Sequence, residues 1–121
     1  MNIISLFNEY HNHFVDIRKT KHLDSWYRKK LKKRSEHEFL ARWNTEKHVN
    51  HEMIKEFANI MSLPNHYIFP HDRMFILFCP PYNDLREISA IILLEKYGIC
   101  NMNEHTIKSE YKYAKNIFGI R

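Results

Sequence analysis

The side chains best suited to metal binding in this chain are its nine histidines and two cysteines. His48 and His51 lie three residues apart and could share one face of a helix. The dipeptide His51-Glu52 is not followed by a second histidine one turn later, so the two-histidine zinc helix is missing. Cys79 and Cys100 each lack the nearby second cysteine that is typical of structural zinc sites. We therefore predict no metal site.

Cys79 is the next chemical candidate, as a nucleophile, because His66 and His71 are close to it in the sequence. Cysteine catalysis requires a partly exposed thiolate beside an oriented base. The apolar residues 75–78 directly before Cys79 instead favour a buried, unreactive thiol. The serine-hydrolase, phosphate-loop and dinucleotide-binding motifs are absent from a sequence that has only two glycines. We predict that the protein is not an enzyme, has no catalytic residue and holds no cofactor.

A dense basic run gives the clearest indication of a partner. Nine of the 19 Lys and Arg residues lie in residues 18–34 beside one acid, Asp24, whereas residues 35–121 hold ten basic and eleven acidic residues. A basic run of this kind neutralises phosphates or attracts an acidic protein. Aromatic side chains beside it can stack on the bases of single-stranded nucleic acid. The predicted partner-binding residues are Arg28, Lys29, Lys30, Lys32, Lys33, Arg34, Trp26 and Tyr27.

Three interpretations of this run stay open. In the first, the run attracts an acidic protein, such as a toxin that an immunity or antitoxin-type protein neutralises. In the second, the run binds RNA or DNA. In the third, the run is a solvated face with no partner. Because the sequence contains no recognised nucleic-acid-binding motif, we favour a non-enzymatic protein-binding module and keep the nucleic-acid function as the alternative.

The bulk properties predict one small cytoplasmic domain over residues 1–121. Hydrophobic residues make up 44% of the chain, which is enough for a core, but no run of apolar residues is long enough to cross a membrane. The first residues lack the basic start of a signal peptide. Two cysteines do not form a disulfide framework, which favours a reduced compartment.

The hydrophobic spacing predicts an all-α fold, a small helical bundle. Residues 1–49 form an N-terminal helical segment that contains the basic run, with helices over 2–17 and around 24–31. A capping box of Ser35 and Glu38 begins a further helix. Its apolar side is formed by Phe39, Leu40 and Trp43.

The most apolar helix of the chain is expected over residues 84–99 and buried on most sides. A capping box of Asp84 and Glu87 begins it, and Gly98 supplies the left-handed residue that closes a helix. Its apolar face consists of Leu85, Ile88, Ile91, Ile92 and Leu94.

The helix before it is expected over residues 53–61 and ends at Leu63-Pro64. Residues 74–78 form either a short strand or a loop with a helical turn, and we favour the loop because no partner strand is evident. After a turn at 101–103, one last helix covers residues 107–118. The predicted core residues are Phe7, Phe14, Phe57, Ile60, Ile88, Ile91, Leu94, Ile117 and Phe118.

The order of elements over residues 50–121 resembles the acyl carrier protein fold, and the amino-acid sequence is similar in two segments. The segment SLPNHYIFPHDRM resembles the end of the first carrier helix and the loop after it, and NDLREISAIILLEKYGI resembles the central helix. Small enterobacterial proteins with degenerate carrier-like folds are the most similar class. The resemblance implies a carrier-like helical core that docks on other proteins.

One departure from the carrier pattern decides what the resemblance can imply about function. Carriers attach phosphopantetheine to a serine at the start of the central helix, and this chain has Asp84 at that place. A carboxylate cannot form that phosphodiester. A second alternative function is therefore an acyl-carrier-like protein without a prosthetic group.

Overall fold

The computed structural model describes residues 23–46, 48–78 and 85–120. Within these ranges the chain is mostly helical and contains no strand, which confirms the predicted all-α fold. Two isolated backbone bridges, between Val49 and Gly119 and between Arg73 and Tyr113, tie distant loops together. The helices are α1 (23–32), α2 (Glu36–Glu46), α3 (His51–Ile60), α4 (Met74–Phe78), α5 (Leu85–Lys96), α6 (Glu104–Ser109) and α7 (Lys115–Phe118).

Side-chain caps begin three of these helices where the sequence changes from polar to apolar. The Glu38 backbone N–H donates to Ser35 Oγ at 3.2 Å, and the Ser35 N–H donates to Glu38 Oε1 at 3.3 Å, which confirms the capping box of α2. Asn50 caps α3 by accepting from the Met53 N–H at 3.2 Å. Asn103 and Thr106 form a second capping box at α6.

Gly98 ends α5 as predicted, with a φ of +88°. The Ile99 N–H donates to the Leu94 carbonyl at 2.9 Å, and the Gly98 N–H donates to the Glu95 carbonyl at 3.0 Å. These two bonds define a Schellman motif, in which a left-handed residue satisfies the last free carbonyls of a helix. Leu94 and Ile99 are both buried, so the hydrophobic contact that accompanies this motif lies in the core.

The core forms around α3, which packs against α5 and α7. Phe57 lies at its centre, with its ring 6.3 Å from that of Phe78 and 5.1 Å from that of Phe118. Trp43 joins α2 to this core, and its indole N–H donates to the buried carbonyl of Ile68 at 2.8 Å. Of the predicted core residues, four are buried as expected: Phe57, Leu94, Ile117 and Phe118.

The expected burial of α5 is wrong on one side. Leu85, Ile88 and Ile92 are exposed by 81%, 43% and 62%, and the buried side of the helix consists of Ala90, Leu93 and Leu94. The helix is apolar on nearly all sides, so spacing alone did not show which side packs against α3. Ala90 is the smallest of the three buried residues of α5.

Smaller corrections concern three residues at the edge of the core. Leu40 was expected on the apolar side of α2 but is exposed. Ile60 and Ile91 are partly buried and pack against the core from its edge. Each lies on the same helix as fully buried residues, so the helix was predicted correctly while the width of its buried face was not.

Residues 107–118 do not form the single last helix that the spacing predicted. The chain breaks between α6 and α7, where the backbone turns to bond the loop before α4. The Met74 N–H donates to the Lys112 carbonyl at 3.0 Å, and the Ala114 N–H donates to the Asp72 carbonyl at 2.8 Å. These long-range bonds replace the helical bonds that a continuous helix would form there. Residues 74–78 all belong to the short helix α4, so they form neither the strand nor the loop between which the sequence left the choice. Only the helical turn that was allowed within the loop is found.

Several predictions concern residues outside the described ranges. These are the helix over 2–17, the core residues Phe7 and Phe14, the thiol of Cys79, and Asp84 with its capping box. Among the described residues, no helix combines the length and the apolar character needed to span a bilayer.

Candidate partner-binding surface

The eight predicted site residues lie on α1 and the turn that follows it, but they divide into two sides of the helix. Tyr27, Leu31 and Arg34 follow one another at helical spacing and are all buried. Trp26 and the four lysines among the predicted site residues face solvent. Tyr27 and Arg34 therefore face the interior of the fold, unlike Trp26 and these lysines, and their binding of a partner stays a prediction.

Arg34 is held by a carboxylate that the sequence gave no reason to pair with it. Its guanidinium donates two hydrogen bonds to Asp72, and Nη1 also donates to the Tyr67 carbonyl at 3.0 Å. The Arg34 guanidinium carbon lies 3.8 Å from the centre of the Phe69 ring. A buried cation of this kind needs both a paired charge and hydrogen bonds, and Asp72 supplies both. Arg34 therefore fixes α1 to the loop after α3.

Tyr27 belongs to the same network. Its hydroxyl donates to Asp72 Oδ2 at 2.6 Å. Burial raises the pKa of Tyr27 well above its usual value, and the negative charge of Asp72 adds to this effect. The phenol is thus a neutral hydrogen-bond donor at ordinary pH.

Arg28 is partly buried and also acts within the fold. Its guanidinium donates to Asp24 at 3.0 Å, to the Met61 carbonyl at 2.8 Å and to the Ser62 carbonyl at 2.6 Å. The two carbonyls follow the end of α3, where a cation compensates for free acceptors and for the helix dipole. Three predicted site residues, Arg28, Arg34 and Tyr27, thus anchor α1.

The opposite side of α1 forms a continuous positive surface, which we name the α1 lysine face. Its aromatic member is Trp26, which is 49% exposed and lies 4.9 Å from the Lys30 ammonium, measured to the ring centre. Among the residues that the structure describes, no carboxylate lies within ion-pair distance of these lysines. The α1 lysine face consists of Trp26, Lys29, Lys30, Lys32 and Lys33.

The other chemical candidates do not come together in one site. His48 and His51 are both exposed, and the His51 ring packs edge-on against Phe39 at 5.6 Å. Cys100 is an exposed free thiol. Within the described ranges, no group of three or more His, Cys, Asp or Glu side chains could hold a metal ion.

Sequence reasoning missed Asp72 and a second ionic cluster beside it. Glu46 lies 3.5 Å from His71 and 3.6 Å from the Lys115 ammonium. The residues of each cluster are far apart in the chain, so no local spacing could have indicated their contact. The segment Pro70-His71-Asp72 carried one usable signal, a turn rich in polar residues between two apolar stretches.

Comparison of the chain with models of known protein families, with curated proteins and with solved structures finds no match.

Proposed function

We propose that this protein is a small non-enzymatic binding protein that attaches to an acidic protein partner through the α1 lysine face. One observation carries the proposal. The inward-facing cations of the basic run, Arg28 and Arg34, have carboxylate partners, whereas the outward-facing lysines have none among the described residues. Unneutralised charge on a helix that is held rigidly from behind is suited to electrostatic attraction of a partner.

Nucleic acid is the second candidate, because Trp26 is exposed beside Lys30 and could stack on a base. Two other aromatic residues near the basic run, Tyr27 and Trp43, are buried and make hydrogen bonds inside the fold. One stacking residue gives a smaller platform than single-stranded nucleic-acid binders use. A protein partner is therefore favoured.

The more specific form of the proposal is an immunity or antitoxin-type protein, acting in the cytoplasm, that neutralises a toxin. An acidic patch on the toxin would match the positive α1 lysine face. A toxin gene directly beside the gene for this protein would support this form, and co-expression of the two proteins would then test for rescue of growth. Toxicity that persists in the presence of the wild-type protein would contradict it.

The testing experiment is affinity capture of partners from a lysate of the source organism, with and without nuclease. The test variant replaces the lysines of the α1 lysine face with serine. The control variant removes the same number of charges from exposed lysines elsewhere on the chain. These control positions are Lys55, Lys96, Lys108 and Lys112.

We expect the wild type and the control variant to capture the same acidic protein after nuclease treatment. The test variant should retain at most about a tenth of it, because exposed charges at an interface act mainly through electrostatic attraction. Loss of the captured protein on nuclease treatment would favour the nucleic-acid candidate. Equal capture by both variants would refute a role for the α1 lysine face.

A further inference from the structure

A cavity of about 380 Å³ lies behind the α1 lysine face, between the carboxyl ends of α1 and α2 and the loop over residues 69–72. Lys30 and Arg34 line it from α1, and Arg42, Thr45 and Glu46 line it from α2. The loop closes the cavity with Phe69, Pro70, His71 and Asp72. Its volume falls in the range of small-molecule sites, roughly 300–1,000 Å³.

Both acidic groups in the wall of this cavity already have partners. Asp72 accepts hydrogen bonds from Arg34, from the Tyr27 hydroxyl and from the Phe69 backbone N–H. Glu46 lies within ion-pair distance of His71 and of Lys115. The negative charge of the wall is therefore balanced by groups within the fold.

Two of the cations in the wall, unlike the acidic groups, have no oppositely charged partner among the described residues. Within the described part of the chain, the Lys30 ammonium and the Arg42 guanidinium have no carboxylate within ion-pair distance and donate no side-chain hydrogen bond. Each lies over an aromatic ring instead, Lys30 over Trp26 at 4.9 Å and Arg42 over Phe69 at 5.0 Å. Both side chains thus have donors left for an anion.

We propose that this cavity binds a small anionic molecule through a phosphate or carboxylate group held by Lys30 and Arg42. The guanidinium of Arg42 supplies a planar fork of donors that matches two oxygens of such a group, and Lys30 supplies a point charge. Phe69 and Pro70 offer an apolar wall for the remainder of the molecule. Small-ligand sites combine these features, a largely preformed cavity with a few polar groups that fix orientation.

The proposal does not rest on the acidic protein partner. Lys30 belongs to the α1 lysine face as well as to the cavity wall, but Arg42 lies outside that face and tests the cavity separately. The test is titration of the isotope-labelled wild-type protein, followed by amide NMR shifts, with inorganic phosphate, adenosine monophosphate and succinate in separate arms. Adenosine is the uncharged control. Arg42→Gln and Lys30→Gln are the test variants, and Lys55→Gln, on the exposed side of α3, is the control variant.

We expect at least one anion to shift the amides of residues 42–46 and 69–72 with a dissociation constant below about 1 mM. Arg42→Gln should weaken this binding by about tenfold, since charge-assisted hydrogen bonds contribute strongly, and Lys55→Gln should not weaken it. Preference for adenosine monophosphate over succinate would assign the site to phosphate, and the reverse would assign it to carboxylates. Absence of these shifts with all three anions, or equal binding by the wild type and both test variants, would overturn the proposal.

Discussion

Asp72 ties α1 to the loop after α3. It accepts four hydrogen bonds, from the Tyr27 hydroxyl, twice from Arg34 and from the Phe69 N–H, and these join α1 to the loop after α3. The pair that it forms with Arg34 is largely buried, whereas the pair of Asp24 with Arg28 is about one third exposed. The different burial identifies the Asp72–Arg34 pair as part of the interior of the fold and the Asp24–Arg28 pair as a pair near the surface.

Replacing Asp72 with alanine should lower the free energy of unfolding by about 3–5 kcal/mol, because it leaves the buried Arg34 cation without a partner. Asp24→Ala is the matched control, and should cost only about 0.3–0.5 kcal/mol, the usual value for an exposed pair one helical turn apart. Urea unfolding followed by circular dichroism measures both. Equal losses in the two variants would contradict the structural role given to Asp72.

His66 should give the protein a measurable dependence on pH. Burial lowers the pKa of His66 below its usual 6.5, and the positive charge of Lys55 and the neighbouring His51 lower it further, while Glu36 opposes them. The unfolded chain then binds the proton more readily, so the contribution of His66 to stability is complete above pH 6.5 and is lost as the pH falls below it.

We expect His66→Gln to flatten the loss of stability as the pH falls below 6.5, where His66 takes up a proton on unfolding. His105→Gln, at an exposed position on α6, is the comparison variant. Urea unfolding at several pH values gives the slopes, and NMR titration of the His66 ring gives its pKa directly. A His66 pKa above 6.5 would show that the account of this residue is wrong.

Local chemistry predicted the start of α2 and the end of α5. The capping box of Ser35 and Glu38 and the closing position of Gly98 both follow from residues within one turn of each other, and both occur as predicted. The break between α6 and α7 depends on bonds to residues 72–74, far away in the chain, and could not be read from local spacing.

Gly98 offers a direct test of the end of α5. A Cβ at this position would meet no atom within 4 Å, so the cost of Gly98→Ala comes from the left-handed backbone alone. We expect a loss of about 1–2 kcal/mol in the free energy of unfolding. Gly98→Asn should cost less, because asparagine adopts this conformation more readily. Thermal unfolding of the two variants measures these losses. An alanine variant as stable as the wild type would exclude a Schellman motif at the end of α5.

The two sides of α5 should respond differently to substitution. Ile92 is exposed, so Ile92→Ser should change the free energy of unfolding by no more than about 0.5 kcal/mol. Leu94 is fully buried beside it, so Leu94→Ala should cost about 2–5 kcal/mol through lost burial and an unfilled cavity. Chemical unfolding distinguishes the two. A large loss at Ile92 would restore the sequence-based expectation that α5 is buried on most sides.

For the whole molecule, composition and periodicity were sufficient to predict an all-α fold. They also located the basic segment, because charge density is visible in the sequence. They could not divide that segment into an anchoring side and a free side. The division depends on Asp72 and on the carbonyls of residues 61 and 62, which reach α1 only in the folded chain.

The free side of the basic segment, the α1 lysine face, is expected to bind the partner. The most direct test is the salt dependence of partner binding by the wild type and by the variant with serine at Lys29, Lys30, Lys32 and Lys33. Binding kinetics should be recorded with the captured partner over a series of salt concentrations. The variant should fold normally but associate more slowly, with the largest difference at low salt, where exposed charges are least screened. Its dissociation rate should change little.

A nucleic-acid partner would instead give a steep fall of log affinity with log salt, about 0.7–0.9 per phosphate contacted, and a shallower slope for the variant. For an acidic protein partner we expect the slower association of the variant and its nearly unchanged dissociation rate. Identical affinities of wild type and variant at every salt concentration would contradict this expectation and leave the α1 lysine face as a solvated surface.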